Sequence, residues 1–289
     1  MVDRDGVVLG AGEAGTSGAA LHFAAGEARR RGAELQLLHA WESWPTYALA
    51  APLTGPAFSL PIEQVEQAEQ EVLTDLVKQL LAEADPPEHR TTLIEGRPVT
   101  TLVEASASAE LLVLGTHADS SAWLGPVLGN VPARAHCAVV CVPTECAGDP
   151  GPVVLGVDGS AVSTEAIEFA FDMACRWEQP LTAVLALSAG YDVWSDSRET
   201  LDALYERGRR HLAEVLAGQA DRYRDLVVSQ VVSLSNPFDA LRQAGRDAGL
   251  LVVGSHGRGA LRRFALGSVS GSLLRAAPCP VAVLRPHEH

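Results

Sequence analysis

The feature that most limits what this chain can fold into is that it is written twice. The run VVLGAGEAGTSGAAL from Val7 returns as VVLGVDGSAVSTEAI from Val153, ELQLLHAW faces PLTAVLAL, and LLVLGTHA from Leu111 returns as LLVVGSHG from Leu250. Each copy closes on a cysteine-led apolar run, CAVVCVP and CPVAVLRP. The stretch between them, TECAGDPGP, has the glycine and proline content of a linker. A chain of 289 residues built this way divides into two modules, over residues 1–146 and 151–289.

Within each copy, short apolar runs alternate with longer helical patterns, which predicts βα units on a parallel sheet. In the second copy the strands are expected at Val153–Val157, Thr182–Leu187, Leu226–Leu234, Leu250–Val253 and Val281–Leu284. Five strands per copy make an α/β fold of two tandem doubly wound modules, each a five-stranded, mainly parallel sheet flanked by helices. Pro98 and Pro237 suit the first turn of a helix, where a missing N–H costs nothing. The proline-rich stretch from Glu42 to Ile62 reads as a loop extension before a long amphipathic helix from about Glu63.

Composition narrows the function. With 47% hydrophobic and 20% charged residues the chain has material for full cores. It shows no run long enough to span a bilayer, and MVDRDGVVLG has no signal-peptide pattern. A cytoplasmic protein without a membrane partner is expected. The formal charge of −14 counts against nucleic acid as a partner. That charge is uneven, at −12 over residues 1–150 and −2 over 151–289, so the second copy is the one suited to an anion. Lys78 is the sole lysine, which leaves phosphate contacts to arginines and backbone amides. The five cysteines form no CxxC pair and read as buried free thiols, with Cys137 and Cys141 on one strand face but too far apart to bridge.

Two glycine patterns compete. Gly10, Gly12 and Gly15 match the GxGxxG of dinucleotide-binding folds, but the acid expected about 20 residues later is absent and Glu42 comes 27 residues after Gly15. The equivalent stretch of the second copy lacks the pattern, so close packing is the better reading of these glycines. The stronger pattern is Gly254, Gly257, nine residues, then Gly267, Ser268, Val269 and Ser270. It follows a strand at the carboxyl edge, where open α/β sheets bind ligands, and opens a helix whose first amides suit phosphate. Arg258, Arg262 and Arg263 lie between.

These residues resemble the nucleotide-binding pattern of the universal stress protein family, and the resemblance covers nearly the whole chain as two tandem modules. It implies ATP as the cofactor, with Mg2+ admissible beside it. It also implies an adenine slot near Val157 and Ala186, ribose near Asp158, and a triphosphate carried by Gly254, Gly257, Arg258, Gly267, Ser268, Val269 and Ser270. Asp158 also reads as a turn or cap residue, and His256, matched by His117 in the first copy, as loop structure. The first copy departs from the pattern. Gly12 stands for the aspartate, Ala118 for the second glycine and Asn130 for the hydroxyl, while Asp119 replaces Arg258. The gap from Ala118 to Gly129 is one residue longer, and the closing helix, NVPARAHC, is expected to be four residues shorter.

The expectation is therefore an ATP-binding stress-response regulator, its nucleotide held by the second module alone. No catalytic residue or metal cluster is assigned. A slow ATP hydrolase or transferase and a nucleotide-free dimeric scaffold are the alternatives. The resemblance further implies pairing of the two modules within the chain; a homodimer of whole chains is left open by the sequence.

Overall fold

The structure, a computed structural model, describes residues 6–12, 14–42, 62–116, 125–146, 148–158, 164–187, 201–255 and 266–286. In chain order the first module runs β1 (Val7–Ala11), α1 (Ala14–Arg31), β2 (Leu35–Trp41), α2 (Ile62–Leu81), β3 (His89–Glu95), α3 (Pro98–Ala105), β4 (Leu111–Thr116), α4 (Pro126–Arg134) and β5 (Ala138–Pro143). The second runs β6 (Val153–Val157), α5 (Thr164–Trp177), β7 (Leu181–Ala186), α6 (Leu201–Ala220), β8 (Val228–Ser233), α7 (Pro237–Ala244), β9 (Leu250–Gly254), α8 (Ser268–Ala276) and β10 (Val281–Leu284). The expected strands are present, with ends moved by one or two residues. Pro98 and Pro237 open α3 and α7.

The strands form one ten-stranded sheet in the order β3-β2-β1-β4-β5-β10-β9-β6-β7-β8. Each module keeps the strand order of a doubly wound parallel sheet, and the two join through a single antiparallel pair, β5 with β10, in which Cys141 faces Val281 and Val139 faces Val283. Parallel strands covered on both faces must be apolar throughout, and Leu111–Leu114, Val139–Val142 and Val281–Leu284 are all buried. Helices α1, α2, α5 and α6 cover one face, where Phe23, Leu73, Phe171 and Leu212 share a cluster. Helices α3, α4, α7 and α8 cover the other through Leu102, Val131, Leu241 and Leu273. Each core layer runs continuously across the seam. The linker turns at Gly148, whose φ of +78° favours glycine. A Cβ there would also press to 3.1 Å on the Ala19 carbonyl of α1.

A charged knot ties the modules on the first face. Glu27 on α1 is fully buried. Its carboxylate accepts from the Trp177 indole N–H at the end of α5 (2.6 Å), from Arg30 Nη1 (3.0 Å) and from Arg31. Arg31 also reaches Glu110 (3.3 Å), and the Arg30 guanidinium lies 5.8 Å from the centroid of the Trp177 ring. Burial, with Arg176 nearby, lowers the Arg31 guanidinium to about 10, so it is cationic at neutral pH.

The cysteines are all free, but only Cys137, Cys141 and Cys279 are buried as expected, while Cys146 is half-buried in the linker and Cys175 is exposed on α5. Cys137 and Cys141 do point into one layer, beside α4 and α8. Burial pushes the Cys141 thiol up to about 12, and burial with Cys146 nearby does the same for Cys279. A raised thiol pKa means less thiolate at any lower pH, and the thiolate is the nucleophile. Iodoacetamide on the folded protein at about pH 8 is expected to label exposed Cys175 first and leave Cys141 and Cys279 unlabelled by peptide mass spectrometry. Prompt labelling of Cys141 would contradict this burial.

Candidate functional site

The two glycine patterns separate at once. Gly10 lies inside β1, and a Cβ there would collide with the Leu114 side chain of β4 (2.6 Å) and touch Leu102 of α3 (3.0 Å). Its counterpart Gly156 gives the same space to Leu241 of α7 and Val253 of β9. These are packing glycines in both modules.

The described residues of the second pattern, Gly254 and Gly267 to Ser270, lie at the crevice where strand order reverses, since β6 has β9 on one side and β7 on the other. Val157 is paired with Leu185, so the next residues, half-buried Asp158 and Ala186, stand side by side at the carboxyl edge. Across the crevice β9 ends at Gly254 and the chain passes through Ser255, which is fully buried. The Ser255 amide donates to the Leu284 carbonyl of β10 (2.7 Å). Its carbonyl accepts from the Gly267 amide (2.8 Å) and from the Ser270 hydroxyl (3.2 Å). This staple pins the start of α8 to the sheet edge. Gly267 is the N-cap and supplies no side-chain hydrogen bond, whereas Asn236 caps α7 by accepting from the Asp239 amide (3.0 Å). The opening of α8 thus presents backbone dipoles without an internal side-chain acceptor, the arrangement an anion can complete.

Of the expected site residues, the structure brings Val157, Asp158, Ala186, Gly254, Gly267, Ser268, Val269 and Ser270 to this one edge. Gly257 and Arg258 lie outside the described residues, as do His256, His117, Ala118 and Asp119. Ser270 is buried, and its hydroxyl is spent on the carbonyls of Ser255 and Gly267 (3.1 Å), so its side chain positions the loop. Ser255 was not legible as part of the site, although GSHG matching GTHA in the other copy marks the position.

The first module requires a correction. Its closing helix is not short: α4 and α8 both have nine residues, capped by Gly125 and Gly267 and ended by Ala135 and Ala277. Gly129 donates to the Gly125 carbonyl as Gly271 donates to that of Gly267. Thus LGPVLGNVPARAHC matches LGSVSGSLLRAAPC without a gap. Gly129 and Asn130 sit inside α4, and the true counterparts of Ser268 and Ser270 are Pro126 and Leu128. The loop from Ala118 to Gly125 is then three residues shorter than that from Gly257 to Gly267, not longer. Pro126 removes an amide and Leu128 cannot make the staple. In its place the Thr116 carbonyl accepts from the amide (3.1 Å) and hydroxyl (2.7 Å) of Thr144 in the linker. At the edge of this module, buried His39 links the Ala11 carbonyl (3.0 Å) to Glu69 of α2 (2.6 Å).

A cleft of about 860 Å³ lies at the seam, bordered by Glu165, Glu168, Asp172, Arg222 and Arg285. Its carboxylates would repel phosphate, so volume does not make it the anion site.

The architecture is that of a tandem doubly wound α/β protein. The model of the universal stress protein family matches residues 5–143 and again 151–285, and the chain belongs to that family. A universal stress protein of Mycobacterium tuberculosis is 36% identical over 297 aligned residues, covering 98% of this chain and 97% of that one. One of Mycolicibacterium smegmatis is 33% identical, covering 97% of each. Among solved structures, a universal stress protein from Archaeoglobus fulgidus superposes with a TM-score of 0.69 at 20% identity, covering 98% of this chain and 99% of that one, which shows the shared fold. No described helix is long and apolar enough to cross a membrane.

Proposed function

We propose that this stress protein binds one ATP per chain, in the second module, and that occupancy of this site biases its conformation or its choice of partner. The observation that carries the reading is the contrast between two otherwise matching helices. The start of α8 is stapled to Ser255 by Ser270, while α4 has Pro126 and Leu128 at the same positions. In this reading the adenine rests near Val157 and Ala186, Asp158 accepts from the ribose hydroxyls, and the phosphates meet the amides of Gly267 to Ser270, with Gly257 and Arg258 as further phosphate contacts. Among the described residues no group of three His, Cys, Asp or Glu side chains is placed to hold a metal. Mg2+ beside the nucleotide would bind triphosphate oxygens.

Calorimetric titration of the whole chain with ATP, with phosphate release followed in parallel, tests the assignment. One equivalent is expected, with turnover below the ~1 per second at the slow end of ordinary enzymes. Two equivalents would restore the first module as a nucleotide site. Rapid turnover would favour a dedicated ATP hydrolase.

A further inference from the structure

We propose that the seam cleft along α5 is a docking groove for an extended, basic peptide segment of a partner protein, held as the linker is held along α1. The inference does not depend on nucleotide binding. The chain carries the same groove twice, once filled and once open.

Helices α1 and α5 correspond without a gap. Gly32 and Glu178 close them with φ of +60° and +54°, and the amides of Ala33 and Gln179 donate back to the carbonyls of Ala28 and Ala174. Ala19, His22, Phe23 and Gly26 therefore match Glu165, Glu168, Phe169 and Asp172. In the first module the linker fills the groove. Cys146 Sγ donates to the Pro278 carbonyl (3.4 Å), Gly148 packs on Ala19 and Phe23, Asp149 meets His22 Nε2 (3.2 Å), and Gly151 packs on Gly249. Phe23, beneath the linker and the Trp177 ring, is 1% exposed.

In the second module the matching surfaces line the cleft of about 860 Å³. His136 stands there for Pro278, Glu110 for Gly249, Glu168 for His22 and Phe169 for Phe23. Phe169 is only half-buried. The volume lies within the ~300–1,000 Å³ of sites that enclose a ligand.

Charge selects the occupant. Ala19, Gly26 and Gly249 are uncharged, whereas their counterparts Glu165, Asp172 and Glu110 are carboxylates on the cleft wall. Arg31 and Arg176 pair with Glu110 (3.3 Å) and Asp172 (3.1 Å). The two guanidiniums that border the cleft are engaged: Arg285 donates to the Arg134 carbonyl (2.9 Å), and Arg222 lies 5.2 Å from the centroid of the Tyr223 ring. Glu168 has no ion pair among the described residues. Where His22 takes the carboxylate of Asp149, Glu168 takes a lysine or arginine. Six residues, Cys146 to Gly151, cross the first groove, so an extended segment of about that length, roughly 20 Å, crosses the second.

The test titrates two peptides carrying a neutral dye with the full chain, followed by fluorescence anisotropy at about 50 mM salt and up to about 500 μM protein. ESAGDPGP is the linker sequence of residues 145–152 with serine for its cysteine, and KSAGRPGP is the same peptide with both charges reversed. KSAGRPGP is expected to bind saturably and at least about tenfold tighter than ESAGDPGP. Glu168→Arg, at an exposed position, should weaken KSAGRPGP by about tenfold and strengthen ESAGDPGP, with an unchanged circular-dichroism spectrum. Absence of saturable KSAGRPGP binding would overturn the proposal, and is the result expected if a second copy or the chain's own residues close the cleft. Equal affinity for the two peptides, or KSAGRPGP binding that Glu168→Arg leaves unchanged, would overturn it as well, by removing the charge selection or placing the site elsewhere.

Discussion

Replacing Glu27 by alanine is expected to cost about 3–5 kcal/mol of folding stability, a large share of the ~5–15 kcal/mol that typical proteins possess. The carboxylate is fully buried and is shared by Arg31, Arg30 and the Trp177 indole. Its removal leaves a cation that is itself 7% exposed and an indole N–H inside the interface between α1 and α5. The cost comes from the unpaired indole and from an Arg31 left with Glu110 alone (3.3 Å), rather than from the strength of the ion pair, which desolvation largely offsets. Glu27→Gln should fall between the two, since an amide oxygen can still accept from Trp177 but cannot balance Arg31. Urea unfolding followed by circular dichroism measures both variants. A loss below about 1 kcal/mol for Glu27→Ala would show that the knot relaxes into water, as an exposed ion pair does.

Asp158→Ala is expected to weaken ATP binding by roughly ten- to a hundredfold, since one charge-assisted hydrogen bond contributes ~1.5–3 kcal/mol. The position supports this: Asp158 follows β6 at the carboxyl edge, beside Ala186 and across from the staple that holds α8. Folding should be retained, because the variant leaves the strand pairing of β6 intact. The matching thermal measurement has a known size. A ligand that binds only the folded state stabilises it by about 2.7 kcal/mol at a hundredfold excess over Kd. At that same ATP concentration the mutant should lose most of its shift in melting temperature. Unchanged affinity in a folded Asp158→Ala protein would make this aspartate a turn residue only, while the stoichiometry test would still decide whether the second module binds ATP.

Much of this was legible before the structure. Alternation of buried strands with helical patterns gave the α/β modules, because strands covered on both faces must read as unbroken apolar runs and surface helices must not. The gapped glycine pattern pointed to α8 because the need for unpaired amides at a helix start is local chemistry. The first module was misaligned at Gly129 and Asn130 for an equally local reason. Gly129 resembles Gly267 by residue type, although Pro126, three residues earlier, is the residue built to open a helix.

The amino-acid order by itself determined the duplication, the strand and helix types, the first-turn prolines and the greater negative charge of the first module. Each follows from interactions within a few residues or from simple counting. Only the tertiary structure decided that the two sheets fuse through β5 and β10, that Glu27 meets Trp177 across 150 residues of chain, and that Ser270 turns inward to Ser255 rather than outward. It also decided that β3 and β8 are the outer strands of the one sheet. Those outcomes depend on which surfaces meet when the modules pack. Burial then makes a buried charge or polar group find a partner, and no periodicity along the chain names the partner in advance.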